Sequence, residues 1–237
     1  GCRAITTSTL DNPFLPGDYV EDLLTLDGVA LRRYVHGEWC ASDRLVYDAF
    51  DRETHLIHRG PPWSRVIVGV DVGYKNPAVL LPIGLDPDDR AHVLDEWYET
   101  GRTEPEIVEA AADVNDRFAN RDDNGTITRR RIETFVVDPS AASLIALMRQ
   151  AGLPVIPADN ARQKGIAIVR SRLSVQGDGL PRLTIEPTAA NTVREIESYE
   201  NRPDSDEPIK ENDHAMDALR YALVYIDGEP PAMVHVL

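Results

Sequence analysis

Only two cysteines, Cys2 and Cys40, occur in the 237 residues of this chain. That is too few for a disulfide framework, and no Cys/His spacing matches a zinc site, so redox and zinc chemistry are set aside. No apolar run approaches the roughly 20 residues that cross a bilayer, and the first residues lack the basic-then-apolar order of a secretory signal. The chain therefore reads as an intracellular protein with no membrane partner. No glycine-rich loop ending in Gly-Lys-Ser or Gly-Lys-Thr occurs, which excludes a P-loop nucleotide site from this stretch of sequence. Lysine is scarce too: Lys75, Lys164 and Lys210 are the only three, and arginine supplies the rest of the positive charge. The 25 Lys and Arg stand against 40 Asp and Glu, a net charge of -15. Taken alone this argues against a nucleic acid, whose affinity rests on neutralised phosphates. Much of the acid, however, lies at 86–89, 122–123 and 204–207, which read as solvated loops, and a bound divalent cation reverses the local sign of a carboxylate cluster.

What is present falls into two parts. Residues 1–62 carry turn signals at Asn12-Pro13 and Pro16-Gly17, a short helical pattern at 19–26, and segments at 31–39 and 45–50 broken by polar residues. Gly60-Pro61-Pro62 marks the expected boundary, with an ordered extension before it and one domain over 63–237. The β-branched run at 65–72 predicts a central strand buried on both faces. Further strands are expected at 78–83 and 92–98, and the three could pair consecutively as antiparallel neighbours. Thr103 and Glu106 form a capping box for a helix whose apolar face holds Ile107, Ala110, Ala111, Val114 and Phe118. A strand at 134–137 ends in Asp138, a helix over 141–151 closes at Gly152, and another short strand covers 154–157. Helices follow at about 162–173, around Val193, Ile196 and Tyr199, and over 213–226, with a strand at 183–185 between the first two. On the 162–173 helix, Arg162, Lys164, Arg170 and Arg172 fall mostly outside the apolar stripe. This order predicts an α/β fold with helices packed on a sheet.

Three acidic positions lie at the ends of buried elements, where an unpartnered carboxylate is expensive: Asp71, Asp138, and the pair Asp213 and Asp217. Asp213 and Asp217, four apart, share one face near the start of the last helix. If the strands ending in Asp71 and Asp138 are neighbours and this helix crosses their ends, the carboxylates converge and repel one another. Shared protons or a divalent metal would relieve that repulsion, and oxygen-only ligands favour Mg²⁺ or Mn²⁺. Two such ions about 4 Å apart suit in-line displacement at phosphorus. Each residue also has a plainer role: Asp71 or Asp138 as a turn former, Asp213 as a helix N-cap, Asp217 as an ion-pair partner of Arg220, and His214 as an exposed polar residue. The convergence carries the functional reading.

Residues 68–73 (VGVDVG), 135–140 (FVVDPS) and 212–221 (NDHAMDALRY) together resemble the nuclease domain of the large terminase subunit of tailed bacteriophages. Residues 160–166 with 169–171, and 191–195 with Tyr199, extend the resemblance to roughly 66–226. The segments at 11–13, 34–39 and 46–50 are similar to that family's exit from its ATPase domain. The resemblance implies an RNase H-like fold, a mixed central sheet with helices on both faces, and a metal-dependent endonuclease that cuts double-stranded phage DNA during packaging. It implies Asp71, Asp138, Asp213 and Asp217 as metal ligands, His214 as a helper, and Lys164, Arg162, Arg170 and Arg172 as phosphate contacts. The partners it implies are double-stranded DNA and, in a full motor, the ATPase domain, portal and small terminase subunit, in the cytoplasm of an infected bacterium. Rival readings are a junction-resolving nuclease, a strand transferase, and a docking module without catalysis.

Overall fold

The run at 65–72 forms strand β1 (Arg65–Asp71), buried at every position after Arg65. The computed structural model describes residues 8, 9, 12, 15, 16, 44–60, 62–129, 131–203, 205 and 207–228. The helix expected at 19–26 and the segment at 31–39 lie outside the described residues. Strand β2 (Ala78–Leu85) is buried throughout and runs antiparallel to β1, from Arg65 opposite Leu85 to Asp71 opposite Val79. It pairs in turn with β3 (Ala91–Val93) and β4 (Trp97–Glu99), both antiparallel. On the far side of β1 lie β7 (Ile132–Val137) and β8 (Val155–Pro157), both parallel to it, and β9 (Leu183–Ile185) closes the opposite edge alongside β3. The sheet order is β8-β7-β1-β2-β3-β9, with β4 beside β2. A separate hairpin joins β5 (Asn120–Arg121) to β6 (Ile127–Arg129).

Alternation along the strands assigns the helices to the two faces. Val66, Val68 and Val70 of β1 share one core with Ile107, Ala111 and Val114 of α2 (Glu104–Arg117) and Leu144, Ile145 and Met148 of α3 (Ala142–Gln150). The other face of β1 receives the last helix, α6 (His214–Asp227), at Gly69. A Cβ there would stand 1.9 Å from the Ala218 carbonyl oxygen, so glycine alone permits this approach. Helix α4 (Arg162–Leu173) packs on α6, with Gly165 against the Arg220 side chain. The short α1 (Arg52–His55) sits by β9, and α5 (Ala190–Ser198) touches α6. The expected mixed sheet with helices on both faces is what forms.

Several local expectations change. The stretch 92–98 is two strands, because Glu96 between them turns inward to accept hydrogen bonds from Asn191 and Thr192. Asp86 is buried and not solvated: it accepts from the Asp88 and Arg90 backbone N–H groups and pairs with the Arg90 side chain at 2.7 Å. The β5–β6 hairpin was not expected; Asp122 accepts from the N–H groups of Asn124 and Thr126, and Gly125 takes φ +81°. The chain divides into two compact units, 1–48 with 200–209, and 49–199 with 210–237. Within the second unit, α1 and Ile57 join β9 through the Leu56–Ile185 bridge and a 3.1 Å bond from the Ile57 N–H to the Ile185 carbonyl. In the first unit, Leu45 bridges Glu200, Arg44 pairs with Glu200 at 3.5 Å, and Asn201 bridges Pro208.

Candidate active site

The site is built where β1 and β7 end. Their parallel register sets Val70 beside Val137, which brings Asp71 and Asp138 to neighbouring strand ends, and the Asp138 N–H donates to the Val70 carbonyl at 3.2 Å. Helix α6, admitted by Gly69, then lays its first turns across these ends. His214 Nδ1 donates to Asp71 Oδ2 at 2.9 Å, and the Tyr221 hydroxyl, two turns on, reaches Asp138 Oδ2 at 3.4 Å. Asp71, Asp213, His214 and Asp217 line one cleft of about 530 Å³, together with Arg162 and Lys210. Asp138, on the adjacent strand end, is not among the residues lining this cleft. A second cleft of about 560 Å³, lined by Trp97 and Arg117 among others, lies away from these acids.

The electrostatics are those of crowded, desolvated carboxylates. Burial holds Asp71 above the usual carboxylate range, and the charges of Asp217 and Asp138 add to that, while His214 opposes it. Asp213 is raised by burial and then by Asp217. The imidazole of His214 is raised in turn by its bond to Asp71. Burial also lifts the Tyr221 hydroxyl, with Asp217 and Asp138 contributing. Asp213 occupies the N-cap position of α6 but its side chain makes no capping bond, whereas Asp217 does pair with the buried Arg220.

The donor set suits a hard divalent cation: oxygen ligands, short of positive charge, in a cleft where added charge would lower the repulsion. Among the described residues no three acidic or histidine side chains already stand at coordination spacing. Asp71 bonds His214 and Asp217 bonds Arg220 through one carboxylate oxygen each, and both side chains line the cleft.

The four basic residues of α4 divide. Arg162 lines the cleft. Lys164 and Arg170 are exposed, Lys164 pairing with Asp159 at 2.9 Å. Arg172 is a correction: it is buried, paired with Asp227 and donating to the Asp89 carbonyl at 2.9 Å, so it has no guanidinium edge left for a phosphate. The sequence reading placed it on the solvent side because the apolar stripe of α4 is narrow. It missed Lys210, which sits in an acidic loop with no periodic context, and Tyr221, whose only signal was its place four residues after Asp217 on one helix face.

No protein-family model and no curated protein matches the chain. Among solved structures, the large terminase from a thermophilic bacteriophage superposes with a TM-score of 0.66 and 28% identity, over 92% of this chain and 54% of that one. The chain has the fold of a large terminase nuclease domain. The P22 large terminase nuclease domain aligns with a TM-score of 0.59 and 20% identity, over 78% of this chain and 92% of its own. The large terminase nuclease from thermophilic phage G20c, with bound cobalt, gives 0.55 at 12% identity, over 77% of this chain and 97% of its own. This chain thus spans about half the length of the whole terminase it matches, and nearly all of the separate nuclease domains of that fold.

Proposed function

We propose that the chain is a metal-dependent endonuclease that cuts double-stranded phage DNA during genome packaging. The observation that carries this reading is the meeting of Asp71, Asp213 and Asp217, from two distant segments, in one cleft with Arg162, Lys210 and His214. The likeness to a whole large terminase over 92% of the chain favours a packaging nuclease over a junction-resolving enzyme, a strand transferase or a non-catalytic docking module. Asp71, Asp213 and Asp217 would hold Mg²⁺ or Mn²⁺, two ions in the full site, with Asp138 completing the acidic set. Such ions supply Lewis acidity and an activated water for phosphodiester hydrolysis.

The chain's own groups do the remaining work. Arg162 and Lys210 orient the non-bridging phosphate oxygens from the cleft wall. His214, held by Asp71, is placed to pass a proton at the leaving oxygen or the attacking water. Tyr221 keeps Asp138 turned toward the site. Within a packaging motor in an infected bacterium, the ATPase domain, portal and small terminase subunit would bring DNA to this cleft.

Plasmid cutting in Mn²⁺ by wild type, Asp71→Asn and Asp217→Asn tests the proposal. Each substitution is expected to lower the rate by about 100-fold or more, the upper end of the loss seen when a group supporting a metal ligand is removed. Equal cutting by wild type and Asp71→Asn would refute it. Cleavage confined to four-way junctions would move the assignment to a junction-resolving enzyme.

A further inference from the structure

Glu195 lies on α5, ahead of the last acidic segment, and its side chain is wholly buried. Its Oε2 accepts from the Ala215 N–H at 2.7 Å and the Met216 N–H at 3.2 Å, while Oε1 accepts from the Tyr98 hydroxyl at 2.7 Å. Ala215 and Met216 are the second and third residues of α6, whose backbone donors a capping side chain normally satisfies. The residue in the capping position, Asp213, leaves them alone. Glu195 therefore caps α6 from another helix.

The same device recurs one step upstream. The N-cap position of α5 is Ala189, which has no side-chain acceptor, and Glu96 takes the Asn191 and Thr192 N–H groups instead, each at 2.8 Å. Glu96 and Tyr98 flank the start of β4, on the central sheet. A line of carboxylates thus runs from the sheet edge to the start of α5, and from α5 to the start of α6. At its end stand Asp213, His214 and Asp217.

We infer that Glu195, oriented by Tyr98, is a positioning residue for the cleft: by capping α6 in place of Asp213 it sets the helix start against Asp71 and leaves the Asp213 carboxylate available to a cation. This rests on the reading of the cleft as a metal-dependent phosphodiesterase site. A carboxylate whose only task was to satisfy buried donors would affect folding alone. One that sets the ligands affects cation affinity and turnover in a protein that is still folded.

Three measurements on wild type, Glu195→Ala and Glu195→Gln separate these roles: hydrogen exchange at the Ala215 and Met216 amides, Mn²⁺ affinity by calorimetry, and kcat and KM for plasmid cutting. In folded Glu195→Ala the two amides are expected to exchange faster. Mn²⁺ affinity and kcat should fall roughly 10- to 100-fold, the range for groups that orient metal ligands, with KM for DNA little changed. The glutamine carbonyl can still accept from both amides, so Glu195→Gln should stay close to wild type in all three. Unchanged Mn²⁺ affinity in folded Glu195→Ala would overturn the inference, as would a Glu195→Gln protein as impaired as Glu195→Ala. Should Glu195→Ala fail to fold, Tyr98→Phe carries the test: it keeps the cap but frees the carboxylate to swing, and Mn²⁺ affinity equal to wild type would overturn the inference. A wild type that binds Mn²⁺, loses it in Glu195→Ala, yet cuts no DNA would refute the nuclease reading and leave the positioning role standing.

Discussion

Gly69 and Arg172 show how single residues place or misplace a function. At Gly69 the missing side chain is what lets α6 reach β1, so Gly69→Ala would push Ala218 and the whole start of the helix away. The expected loss in urea unfolding is about 3 kcal/mol, the upper part of the usual overpacking range, together with loss of Mn²⁺-dependent cutting. Arg172 was read from sequence as a phosphate contact and is instead buried against Asp227. Arg172→Ala should therefore destabilise by roughly 3 kcal/mol by leaving a carboxylate without its cation, while the salt dependence of DNA binding stays as in wild type. Arg162→Ala and Lys210→Ala should do the reverse. Each is expected to keep stability and to lower the slope of log affinity against log salt by about 1. An unchanged slope in both would remove these residues from the DNA contact.

Elements were legible wherever a period was long or a cap was local. The capping box at Thr103, the glycine closing α3 and the buried run of β1 all depend on neighbours in sequence, and each appears where expected. What escaped notice depends on partners far along the chain: the break between β3 and β4 made by Glu96, and the cap that Glu195 provides. A glutamate at 195 among Val193, Ile196 and Tyr199 is an acid on an apolar face, and that conflict was the available signal. The strand pair β3 and β9 carries a further consequence. His92 on β3 is buried and bonds Thr184 on β9 at 2.7 Å; Glu186 approaches its other ring nitrogen at 3.8 Å, and His58 binds Glu186 in turn. Burial lowers the His92 pKa below its ordinary value, with Glu186 opposing, so the fold disfavours the charged ring. A depressed histidine contributes its full stability above about pH 6.5, the unfolded value, and loses it as the pH falls through the folded pKa. The unfolding midpoint should thus drop on acidification below that point, and less so in His92→Gln; parallel curves would show that His92 takes up its proton as readily in the folded protein as in the unfolded chain.

For the whole molecule, the net charge of -15 would set the terms of the proposed DNA binding. On the proposed function only Arg162 and Lys210 would meet the duplex from the cleft of an acidic body, so affinity for random DNA should be weak and fall with salt at the shallow slope that few phosphate contacts give. Divalent cation should strengthen it, because the cleft's charge changes sign on occupancy. Gel shifts in EDTA and in Ca²⁺, a hard cation that takes the same oxygen ligands, would check this; tight, salt-insensitive binding in EDTA would contradict it. The parallel alignment of β1 and β7 bears on how such a site could ever change. Side chains alternate between faces, so removing one residue from β7 would leave an apolar, well-paired strand and yet turn its terminal acid to the opposite side of the sheet. Length variation in homologous proteins of this fold should accordingly accumulate in the loops and spare these two strands, however freely their apolar residues exchange.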